Sequence, residues 1–123
     1  MNVLLWNLQA VLAAVFLRAG AMKVLRSSGE LVRRLPAVRD FSPATLRLTG
    51  AAELAAVAGL LLPGALGVAT VLTPLAATGL AVIMLAAATV HARRREPRGV
   101  ALTAVLLIMS VMVAWGRFGP YQL

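Results

Sequence analysis

Four long apolar runs separated by short polar stretches organise this chain of 123 residues. The first extends from Val3 to Met22 and stops at Lys23, about the twenty residues a helix needs to cross a bilayer. Met1 and Asn2 supply neither the positive charge nor the length that precedes a secretory core, so this run reads as an uncleaved span. Ser27-Ser28-Gly29-Glu30 then has capping-box spacing, and Leu31, Val32 and Leu35 oppose Arg33 and Arg34 up to Pro36. That pattern predicts a short interfacial helix, with a plain basic loop as the alternative. Ser42 and Pro43 read as an N-cap and first helical position for the second span, which Pro63-Gly64 ends. Pro74 falls inside the third span and predicts a kink in its first third. A charged turn from His91 to Arg98 leads into the fourth. The expected fold is all-α: an integral membrane four-helix bundle forming one transmembrane domain over 1–123, with spans at about 3–23, 43–62, 66–91 and 98–116.

Composition agrees, because 61% hydrophobic residues and a mean hydropathy of +0.90 exceed what a soluble core requires. The net charge of +8 would suggest nucleic acid in a soluble protein. Here ten of the twelve basic residues lie in Lys23–Arg47 and Arg93–Arg98, while 63–73 carries no charge. Membrane orientation and anionic lipid explain this better than nucleic acid, which is not expected as a partner. Both basic loops are then cytoplasmic and both termini outside, in a plasma membrane. Eleven of the basic residues are arginine and alanine is abundant, a bias that suggests GC-rich coding and a bacterial source. No cysteine is present, which removes disulfides and thiol chemistry. A single histidine and four scattered acidic residues give no metal-ligand spacing, so neither a metal nor a resident cofactor is expected from the residues.

Ionisable residues inside apolar runs are costly and mark candidate sites. Arg18 and Glu53 are the two deepest, at similar distances from the basic ends of their spans at about 1.5 Å per residue. Their equal depth and opposite sign predict a contact between them, with Lys23 reaching the same region along its stem. Helical phase puts Asn7 with Arg18 on one stripe of the first span, and Gln9, Phe16, Gly20 and Lys23 on another. Thr49, Gly50 and Glu53 share a stripe of the second span, and Thr103, Ser110 and Arg117 recur every seven residues in the fourth. His91 is the only side chain whose ordinary pKa lies near neutrality. Arg18, Lys23, Glu53, His91, Thr49 and Gln9 are therefore the candidate ligand-binding residues. Glu53, Lys23 and His91 are the candidates for any acid-base chemistry. Gly20, Gly50, Pro74 and Arg117 are expected to act structurally, and the two glycines either leave room beside the site or let helices approach closely. The reading that all the buried charges are structural stays open.

Gly20-Ala21-Met22-Lys23, Gly50-Ala51-Ala52-Glu53, Pro63, His91 and Gly116-Arg117-Phe118, in that order over nearly the whole chain, resemble the DoxX-like family of small four-span bacterial membrane proteins. Arg18 is not matched to that pattern. The resemblance implies a four-helix membrane bundle and a loose link to redox metabolism through the family's namesake, a small subunit of thiosulfate:quinone oxidoreductase. With no cysteine for sulfur handling, only a quinone or another lipophilic small molecule carries over. Three functions remain open: a pocket binding such a molecule in service of a redox-linked membrane complex, a non-catalytic subunit or assembly partner, and an acid-base isomerase of a lipophilic substrate. Membrane lipid, a protein partner or a second copy of the chain are the partners these readings admit.

Overall fold

The computed structural model describes residues 2–26, 29, 33 and 41–123. Within them the chain forms four helices and no strand: α1 (Asn2–Leu25), α2 (Pro43–Leu66), α3 (Leu72–Arg93) and α4 (Pro97–Phe118). All four are long and apolar enough to cross a membrane. They close into a ring in which α1 packs on α2, α2 on α3, α3 on α4, and α4 more lightly on α1. The interfacial helix expected over 27–36 lies outside the described residues, apart from Gly29 and Arg33.

The core follows from helical phase. Leu5, Leu12 and Phe16 of α1 meet Leu60 of α2, Ala77, Leu80 and Met84 of α3, and Leu106 and Val113 of α4. The outward faces are equally apolar, with Val11, Leu17, Leu62, Val82, Leu102 and Ile108 all exposed. A helix that is hydrophobic all round has no solvent side in water, whereas lipid satisfies the outer surface. The molecule is an all-α membrane helical bundle.

Helix α2 begins as its sequence requires: Ser42 Oγ accepts the Thr45 N–H at 3.2 Å, and Pro43 takes the first helical position. Its end differs from the sequence reading. Pro63 does not stop the helix, which continues to Leu66 and is closed by Gly67 in the left-handed conformation (φ 69°). The cost of a proline there is the Gly59 carbonyl, which loses its i+4 donor. Thr73 Oγ1 donates to that carbonyl at 2.7 Å, so a neighbouring helix restores the bond. The third span is corrected in turn, since residues 67–71 form the connection and α3 starts at Leu72. Pro74 consequently lies in the first turn of α3, where its missing N–H costs nothing, and the cause of the expected kink is gone.

Candidate binding site at the basic-loop end

Gly20 and Gly50 set the site. A Cβ added at either would stand 2.8 Å from the other's carbonyl oxygen, so α1 and α2 touch backbone to backbone at this crossing. The glycines thus serve close packing and leave no room of their own. Their contact carries Lys23 against α2, where its Nζ donates to Glu53 Oε1 at 2.5 Å. The Glu53 side chain is fully shielded and that of Lys23 is 15% exposed, so the ammonium stands at the rim and the carboxylate inside. Glu53 Oε2 is buried and has no hydrogen-bond partner among the described residues.

The expected partner of Glu53 was Arg18, and this is corrected. Arg18 is exposed, on the opposite stripe of α1 with Asn7. Five residues separate Arg18 from Lys23, which rotates the side chains about 140° apart around the helix. Depth in the membrane was matched, but direction was not.

A second pair faces Lys23 and Glu53 across the bundle. His91 lies in the last turn of α3, and its Nδ1 lies 3.0 Å from Glu96 Oε1, with Arg94 Nε 3.4 Å from the same oxygen. The turn that allows this is short. Arg95 adopts φ 56°, and the Glu96 N–H donates to the His91 carbonyl at 3.0 Å. The carboxylate of Glu96 is committed to His91 and leaves the start of α4 without a side-chain cap. The imidazole lies directly over Gly99, where any side chain would collide with it.

Between the two pairs lies a cavity of about 410 Å³ lined by all four helices. Lys23, Thr45, Thr49, Glu53, His91, Glu96 and Thr103 supply its polar wall, and Phe16, Phe41, Met84 and Leu106 are among its apolar residues. The structure therefore brings together Lys23, Thr49, Glu53 and His91 and leaves Arg18 and Gln9 off this wall. Gln9 belongs to the other end of the bundle. Its Nε2 donates to the Leu60 carbonyl at 2.6 Å, and its Oε1 accepts from Arg117 Nε at 2.8 Å. Arg117, 2% exposed, also donates through one terminal nitrogen to Asn2 Oδ1 at 2.5 Å and the Tyr121 carbonyl at 2.9 Å. Its guanidinium stands 5.6 Å from the Trp6 ring centre. This network ties α1, α2, α4 and the tail together at the end away from the cavity.

The family model of the DoxX-like family matches residues 7–113. The chain belongs to the DoxX-like family. No curated protein and no solved structure matches it. In this DoxX-like protein every polar residue named on the cavity wall falls inside the matched stretch, whereas Asn2, Arg117 and Tyr121 of the opposite network fall outside it. Sequence reasoning did not single out Glu96. Its signal was available, as an acid directly before a proline at a helix start and five residues after the only histidine. Phe41 and Met84 had no such signal, because among 61% hydrophobic residues nothing separates a cavity wall from a core.

Proposed function

We propose that this DoxX-like membrane protein binds a neutral amphipathic small molecule, with an apolar body and a small polar head, in the cavity at the basic-loop end. One observation carries this reading: the cavity of about 410 Å³ has a mostly apolar wall in which the ionisable groups already contact one another in pairs. Its volume falls within the roughly 300–1,000 Å³ of small-molecule sites, which are likewise apolar with a few placed polar groups. A charged ligand would have to displace a partner from Lys23–Glu53 or from His91–Glu96, whereas a neutral one leaves both intact. A quinone is one member of this class, and family resemblance is what adds it, together with service to a redox-linked complex. The basic loops fit a cytoplasmic position in a bacterial plasma membrane, so that the site opens toward the cytoplasmic leaflet.

Native mass spectrometry on gently purified protein, with lipid extraction, tests this reading. A bound neutral molecule that is lost from Ala87→Phe, a substitution that adds bulk to the cavity wall and removes no member of either charged pair, is the expected result. Its absence from the wild type, or its equal retention by the variant, would overturn the proposal.

The second reading is a non-catalytic subunit whose charges only fasten the bundle. The Gly20–Gly50 contact favours it, since the Lys23–Glu53 pair lies directly beside that crossing and locks α1 to α2. In that case Glu53→Gln lowers thermal stability and changes no ligand content.

A further inference from the structure

Glu53 is the one fully shielded ionisable group on the cavity wall, and half of its carboxylate is committed to Lys23. The other oxygen, Oε2, is buried without a hydrogen-bond partner among the described residues. An ionised carboxylate only accepts, so this oxygen calls for a donor. Beside it, Lys23 carries three N–H donors and uses one on Glu53. Oε2 is covered by neighbouring side chains, so a ligand head that fits both must displace that cover, donate to Oε2 and accept from the Lys23 ammonium at the same time.

We infer that the cavity selects amphipaths whose head is a neutral hydroxyl, an alcohol or a phenol, with the O–H donated to Glu53 Oε2 and the oxygen lone pairs turned to Lys23. This rests on the ligand-binding reading above and narrows its ligand class. A hydroxyl is the smallest group that offers both a donor and an acceptor on one atom. A ketone or ether oxygen, the carbonyl of a quinone included, accepts from Lys23 but sets its lone pairs against Oε2, leaving a buried acceptor unsatisfied, so the narrowing removes quinones from the class. A carboxylate head sets like charges together, and an ammonium head does the same with Lys23. Thr49, one turn before Glu53 on the same wall, does not compete for the free oxygen, because its hydroxyl donates back to the Thr45 carbonyl at 2.9 Å.

The test compares para-octylphenol with its methyl ether, which share an apolar body and differ only in the donor. Binding is titrated to the full chain in lipid nanodiscs, with empty nanodiscs subtracting partition into lipid. The phenol is expected to bind roughly 10- to 100-fold more tightly, the loss attached to removing a hydrogen bond to a charged acceptor. Glu53→Gln, whose amide presents N–H to the cavity, should abolish that preference. Ala87→Phe should weaken both probes and does not depend on the charged pair, so it locates the binding even where Glu53→Gln fails to fold. Equal wild-type affinities for the two probes, both weakened by Ala87→Phe, would overturn the hydroxyl selection and leave the cavity reading standing. Binding of neither probe, or binding that Ala87→Phe does not change, would overturn both.

Discussion

Lys23 and Glu53 differ in how they would tolerate the loss of the other. Lys23 sits at the rim with a flexible stem, so without Glu53 its ammonium can turn toward the headgroups. Glu53 is fully shielded and has no such exit. Lys23→Met should therefore destabilise by about 3–5 kcal/mol, the range for stranding a buried charge, and Glu53→Gln by clearly less. The double variant Lys23→Met with Glu53→Gln should recover most of the larger loss. Reversible unfolding in mixed micelles measures all three, and additive losses would mean the pair carries no coupling. The same residues show what the sequence could and could not say. Depth along a span is read by counting at a fixed rise, and it set Arg18 level with Glu53, with Lys23 reaching the region only along its stem. Azimuth depends on which face meets the neighbour, and an apolar-all-round helix does not declare its face, so Arg18 was set where Lys23 belongs. The stripe of Gln9, Phe16, Gly20 and Lys23 held the answer, since Gln9, Phe16 and Gly20 are all buried and Asn7 and Arg18 are not.

At the level of the helices, two local devices decide how α1, α2 and α3 meet. The first is the Gly20–Gly50 crossing. Gly50→Ala drives a methyl to 2.8 Å from the Gly20 carbonyl oxygen, a backbone atom that cannot rotate away, so the helices must part. Overpacking of this kind costs about 1–3 kcal/mol, and it should also lengthen the Lys23–Glu53 contact. Lower thermal stability together with greater access of solvent to Lys23, read by amine-reactive labelling, is the expected pair of effects. The second device is Thr73, whose hydroxyl restores the bond that Pro63 removes from the Gly59 carbonyl. Thr73→Val keeps the shape and leaves that carbonyl bare. A loss of about 1 kcal/mol is expected, because interhelical hydrogen bonds in membrane proteins are worth about 0.6 kcal/mol on average and up to about 1.7. Pro63→Ala combined with Thr73→Val should cost less than Thr73→Val alone, since alanine supplies the missing N–H. This is also why the helix limits were legible only in part. The Ser42 cap and Pro43 start are local signals and were read correctly, but a proline that a distant threonine compensates is not a local signal.

For the molecule as a whole, the two ends of the bundle are built for different tasks. One end is fastened by Arg117, Gln9, Asn2 and the Leu60 carbonyl, in a network that ties three helices and the tail. The other end keeps a cavity between paired charges, with basic residues crowding the α3–α4 turn. The all-α membrane bundle was fully legible, because length and apolarity alone require four spanning helices. The cavity was legible only as a gathering of ionisable residues at one depth, because the volume between helices depends on how far each pair approaches. Charge asymmetry then predicts a direction: the cavity end should face the cytoplasm, and the Arg117 end should face outward. Single cysteines at Ala65 and Ala92 test it cleanly, since both positions are exposed and the chain contains no other thiol. A membrane-impermeant maleimide applied to intact cells should label Ala65→Cys at once and Ala92→Cys only after the membrane is opened. The reverse pattern would place the cavity on the outer side, and any ligand would then enter from the opposite leaflet.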